Sequence, residues 1–96
     1  MNTINIRQLN KKILKSKFVL VWWSDINSDS SWVSLEKAKA SKPTICMSTG
    51  WLVKQNKDVH ILCNDVNFND DGTLGDVGNV TTIPSVNVIK IVNIKI

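Results

Sequence analysis

The sequence predicts a mainly β domain of about five short strands, with one short helix after the first strand and enough curvature to roll the sheet into a small barrel. Three observations carry this expectation. Runs of β-branched and aromatic residues recur along the chain, bounded by Ser, Asn, Asp, Gly or Pro. Between the first and second of these runs lies a stretch with helical spacing and capping residues. The last run changes its apolar phase midway, and a period of two cannot skip a residue without a bulge or a sharp bend. A flat five-stranded sheet with one helix is the alternative architecture.

Residues 1–17 form a basic segment ahead of the domain, which spans 18–96. In Ile6 to Ile13, the apolar Ile6, Leu9 and Ile13 fall at i, i+3 and i+7. That suits either a short amphipathic helix or an extended arm that adds a strand to a neighbour. Phe18 to Trp23 is the clearest strand; it is apolar on both faces, and so expected to be central and covered twice. The polar stretch from Ser24 to Ser31 ends it. Ser30 or Ser31 then caps a helix over Trp32 to Lys39, with Glu36 in its first turn, Lys37 and Lys39 in its last, and Pro43 beyond it.

Thr44 to Lys54 reads as the second strand, with Ile45, Met47, Thr49 and Trp51 on one face. Cys46, Ser48, Gly50 and Leu52 take the other. After a turn at Gln55 to Asp58, the third strand runs from Val59 to Cys63, with Val59, Ile61 and Cys63 facing one way. Asp65 to Asn79 holds four aspartates and three glycines, and reads as a long mobile loop. Val80 to Ile83 is the fourth strand, closed by Pro84. In the fifth, Val88 to Ile96, Ile89 and Ile91 share a phase before Val92, Ile94 and Ile96 take over. A strand bent in this way can serve two sheets of a small barrel.

With 96 residues, 43% of them hydrophobic, the chain can build one core but not a deep cleft with its own lid. A domain of this size often gains burial from a partner subunit. The net charge of +4 is local: Arg7, Lys11, Lys12, Lys15 and Lys17 give +5, while seven lysines and eight acids leave the rest at −1. A near-neutral body argues against a broad nucleic-acid-binding face. No apolar stretch approaches the roughly 18 residues of a membrane span. Cys46 and Cys63 lie in β-like runs without a signal peptide, so the expectation is a cytoplasmic protein with both thiols free. Structural zinc lacks ligands, since His60 is the single histidine.

Catalytic patterns are missing. His60 has no serine or cysteine beside it in a nucleophile arrangement, paired carboxylates are not evident, and a phosphate-binding glycine loop is absent. The expected function is therefore binding without catalysis and without a cofactor. Asp65, Asp70, Asp71 and Asp76 miss the calcium-loop spacing, so no metal site is expected. Four tryptophans with no tyrosine are the conspicuous feature. Trp22 and Trp23 are adjacent on a strand and must point to opposite faces. Trp23, Trp32 and Trp51 are candidates for stacking a base or another flat ring, with core or interface packing as the alternative. Asp25, Ser28 and Ser30 are the candidate polar contacts. Hydroxyls beside a helix start can hold a phosphate, and the carboxylates of Asp25 and Asp29 can accept from ribose hydroxyls or base amines. A capped helix with a solvated turn explains the same residues.

Trp23-Ser24-Asp25 with Ser28 and Trp32, then Gly50-Trp51-Leu52, then Ile83-Pro84 with Ile89 and Ile91 follow one another over residues 18–91. In that order they resemble a widespread group of small bacteriophage proteins, and the expected barrel is similar to the SH3 or Sm type. The resemblance implies an anti-defence factor of the sponge kind. Such a homo-oligomer encloses a small nucleotide-like immune signal, a cyclic oligonucleotide or a cyclic ADP-ribose, in the host cytoplasm. The tryptophans and the serine loop would be its contacts. Similarity to Sm-like barrels implies an alternative, single-stranded RNA binding through aromatic stacking and basic loops. A second alternative is a protein–protein inhibitor that presents an apolar edge to a host enzyme.

Overall fold

Alternation along the first strand sets the two faces of the sheet. The computed structural model describes residues 15–95, and the expected N-terminal helix or arm lies almost wholly outside them. In β1 (Lys17–Asp25), Val19 and Val21 are fully buried on one face while Trp22 points out from the other. The chain continues through α1 (Leu35–Lys39), β2 (Thr44–Gln55), β3 (Val59–Phe68) and β4 (Leu74–Pro84). A single 3-10 turn, Ser85–Asn87, leads into β5 (Val88–Asn93). All five strands form one antiparallel sheet in the order β4-β3-β2-β1-β5.

The core gathers Val19 and Val21 of β1, Leu62 of β3 and Ile83 of β4, with Trp23, Leu52, Val88 and Ile91 packed against them. In a flat sheet β4 and β1 would stand about 14 Å apart, three strand spacings, and Ile83 could not share a cluster with Val19. The sheet must therefore curl inward across this face. Among the described residues no ladder joins β4 to β5, so the sheet is open and does not close into a barrel.

Register bears out the two faces expected for β2. Gly50 and Ser48 oppose Val19 and Val21, whereas Trp51 and Met47 oppose Phe18 and Trp22. β1 is flanked by β2 and β5 but, among the described residues, is covered on one face only, since Trp22 remains 40% exposed.

Four expectations are corrected. The supposed loop from Asp65 to Asn79 is mostly strand, with Asp65 paired to Gly78, Val66 to Val77 and Phe68 to Leu74. Its polar side chains satisfy backbone groups and so support the hairpin. Asn67 Oδ1 accepts from the Asp76 N–H at 2.6 Å, Asp71 Oδ1 from the Thr73 N–H at 3.0 Å, and Asn79, at φ 52°, donates its amide to the Asp65 carboxylate. The irregularity of β5 falls earlier than its apolar phase suggests. Lys90 pairs with Trp22 and Val88 with Trp23, so Ile89 is the extra residue and stands exposed. The helix begins at Leu35, and its cap is Ser34, whose Oγ accepts from the Lys37 N–H at 3.2 Å. Ser31 lies three residues ahead of that cap, and its hydroxyl donates to Asp29 instead. Finally, His60, which a strand position in the sequence would leave half-exposed at the sheet surface, is buried at 8% exposure because it lies opposite Ile83 on the inner face.

Candidate ligand-binding site

Between Asp25 and Thr44, which face each other across the β1–β2 ladder, the chain makes an excursion that buries nothing. Local hydrogen bonds shape it. The Asn27 amide donates to the Lys42 carbonyl at 3.2 Å and ties the two ends together. Asp25 Oδ1 accepts from the Ile26 N–H at 2.8 Å. Asp29 Oδ1 accepts from both the Ser31 N–H, at 2.9 Å, and the Ser31 hydroxyl, at 2.6 Å. Those two donors hold the Asp29 carboxyl below the ordinary aspartate value.

Asp29, Ser31, Trp32 and Lys37 line an open groove beside α1. Its chemistry is mixed. The indole of Trp32 is fully exposed and offers a flat apolar surface. Lys37 supplies a cation at one wall, and the Asp29–Ser31 turn supplies acceptors. A helix of five residues adds little dipole at its start, which leaves Lys37 as the cation that lines the groove.

The six residues anticipated from sequence do not converge in one protomer. Asp25, Ser28, Ser30 and Trp32 share the root and arm of the excursion, but Ser28 and Ser30 do not line the groove; Asp29 and Ser31 do. The Asp-x-Ser spacing of an Asx turn was the signal that singles out this second pair. Trp23 is half-buried on the inner face, where its Nε1 donates to Ser48 Oγ at 3.0 Å. Trp51 lies on the outer face, edge-on to Phe18, with ring centroids 5.3 Å apart and planes at 74°. Its buried Nε1 has no hydrogen-bond partner among the described residues. Because Trp51 pairs with Phe18, it stands about 17 Å along the strands from Trp23 and on the other side of the sheet. No small ligand touches both in one copy.

A second polar cluster joins distant segments. His60 Nδ1 lies 2.8 Å from Ser85 Oγ, and the Ser85 hydroxyl donates to the Asn56 carbonyl at 2.7 Å. With its one hydrogen committed there, Ser85 accepts from the ring N–H. That polarity is the reverse of a base activating a hydroxyl nucleophile. The contact pins the β2–β3 turn to the 3-10 turn, and its 25-residue separation hides it from local pattern reading.

Cys63 is fully buried on the outer-face side of β3, opposite Trp51. Burial, helped by the Asp65 carboxylate, pushes its thiol up. Cys46 is half-buried and also free. Among the described residues there is no group of three or more His, Cys, Asp or Glu side chains placed to hold a metal ion. None of the described helices is long and apolar enough to cross a membrane. Comparison of the chain with protein-family models, curated proteins and solved structures gave no match.

Proposed function

We propose that the protein is a non-enzymatic binder of a small nucleotide-like ligand, held at the β1–β2 excursion and sequestered as part of a phage counter-defence. The observation that carries this reading is the fully exposed Trp32 in a groove with Lys37, Asp29 and Ser31. A flat ring, a cation and paired acceptors are what a base, a phosphate and a ribose each require. A single groove this open leaves most of a ligand in water. Assembly of several copies, cyclic oligonucleotide or cyclic ADP-ribose between them, completes the enclosure.

A melting-temperature series against cyclic di- and trinucleotides, cyclic ADP-ribose isomers and short oligonucleotides, at low and high salt, tests the proposal. One small nucleotide should give a saturable rise that survives salt, as ligand linkage requires. Trp32→Ala should abolish that rise while leaving the fold of the single chain intact, read by far-UV circular dichroism, because Trp32 buries nothing within its own chain. Silence across the panel would reject the ligand reading.

The strand order β4-β3-β2-β1-β5, with a 3-10 turn between β4 and β5, supports the finer assignment to the SH3 or Sm type and with it a second reading, single-stranded RNA binding. That reading expects a response to oligonucleotides alone, lost at high salt as counterions compete.

A further inference from the structure

Two apolar surfaces of this chain face water. The excursion carries Ile26 at 80%, Trp32 at 102%, Val33 at 46% and Leu35 at 65% exposure. The outer face of β5-β1-β2 carries Trp22, Ile45, Met47 and Val92, between 39 and 58% exposed. Register makes this second group contiguous: Met47 and Lys90 flank Trp22, while Val92 opposes Leu20. The arm's root, at Asp25 and Thr44, adjoins Ile45 and Trp22 on the sheet.

We propose that the outer sheet face is covered by the excursion of a second copy of this chain, in a two-fold arm exchange. Each copy then offers one arm and receives one, which is what an isologous interface demands. One face of the Trp32 indole packs against Trp22 of the other copy and leaves the other face to the groove. Lys90, beside Trp22, brings the charge opposite to that of Asp29, which travels with Trp32 on the arm.

The areas favour a second copy. The four apolar side chains of the arm leave roughly 550 Å² in water and the four of the face roughly 350 Å², taking a tryptophan as about 250 Å². An exchange covering both would remove about 900 Å² per protomer, against about 800 Å² per partner in a stable interface. Either surface alone falls short. Trp32 has no neighbour over it among the described residues, so the arm as folded is not closed upon its own face.

This inference deepens the proposed function by placing the open groove at a joint between copies, yet it is tested without ligand. Sedimentation velocity over a concentration series should show the wild type at twice the 10.8 kDa of the chain. Trp32→Ser and Met47→Lys each alter an exposed residue and should each raise the dissociation constant at least tenfold. Mixed together, the two variants keep one intact arm and one intact face per pair, and should recover dimers that neither forms alone.

A wild type that stays monomeric at every concentration overturns the proposal, whether its surfaces are covered by the N-terminal segment, by the chain's own arm or by another protein. So does a dimer that tolerates both substitutions. A monomer that still binds a nucleotide would overturn the exchange and leave the ligand reading standing. A dimer silent to nucleotides would do the opposite.

Discussion

Gly50 is the position at which this fold should be least tolerant of one added carbon. It is buried in β2 opposite Val19, and a Cβ built there would lie 2.7 Å from the Cys63 carbonyl oxygen and 3.3 Å from Leu62 Cβ. The nearest atom belongs to the backbone of the adjoining strand, which cannot rotate aside as a side chain can. Overpacking of this kind costs about 1–3 kcal/mol. Alanine also restricts the unfolded chain, which returns about 0.4–1 kcal/mol. The net expectation for Gly50→Ala is a loss of about 1.5 kcal/mol, or about 6–12 °C in melting temperature for a domain of this size.

Gly78 provides the matched control. It also lies in a strand, but its Cβ would meet only Asp65 Cβ at 3.7 Å, an ordinary contact. Gly78→Ala should therefore keep the entropic gain and raise stability by about 0.5 kcal/mol. Urea unfolding with unchanged m-values would establish both signs. If Gly50→Ala proved as stable as the wild type, the close approach of β2 and β3 at this point would be wrong.

Three further outcomes follow from the packing and the electrostatics. Ser48→Ala removes the acceptor of the Trp23 indole and should cost about 1 kcal/mol, measured by urea unfolding followed through tryptophan emission. Cys63 should resist alkylation in the native state and react only on unfolding, read by mass spectrometry of labelled peptides. Its raised thiol pKa fixes the sign of a pH effect. The folded state keeps that proton longer, so the contribution is complete below the ordinary thiol value of 9.0 and is lost as pH rises beyond it. Cys63→Ala should flatten the alkaline limb of the stability profile, and an unchanged limb would assign it to other groups.

Of the candidate site, the sequence made the kinds of residue legible and left their arrangement hidden. The unusual tryptophan content and the polar run after Trp23 pointed to the excursion, and Trp32 stands there, exposed. Asp29 was legible as an acceptor, but the choice of Ser28 and Ser30 over Ser31 depended on which side of the turn faces the groove, and this is set by the hydrogen bonds of Asp29. Trp51 was grouped with Trp32 by composition, whereas strand register sends it to the far end of the sheet beside Phe18.

What the sequence determined by itself was local: the strand positions from their β-branched runs, and the two faces of β2 from a period of two. Its turn at Gln55 to Asp58 and the existence of one short helix belong to the same class, because each follows from neighbours within a few residues. Only the tertiary structure decided the rest. The pairing of Asp65 to Asn79 into a hairpin overrode residues poor in strand propensity, since ladder bonds and side-chain amides satisfied groups that a loop would leave to water. Burial of His60 required Ser85, 25 residues away in the chain, whose hydroxyl is held in turn by the Asn56 carbonyl. Whether the sheet closes depends on the edges of β4 and β5, and no local pattern encodes the distance between two edges. Pattern is a property of neighbours in the chain, whereas closure, burial and the convergence of a site are properties of neighbours in space.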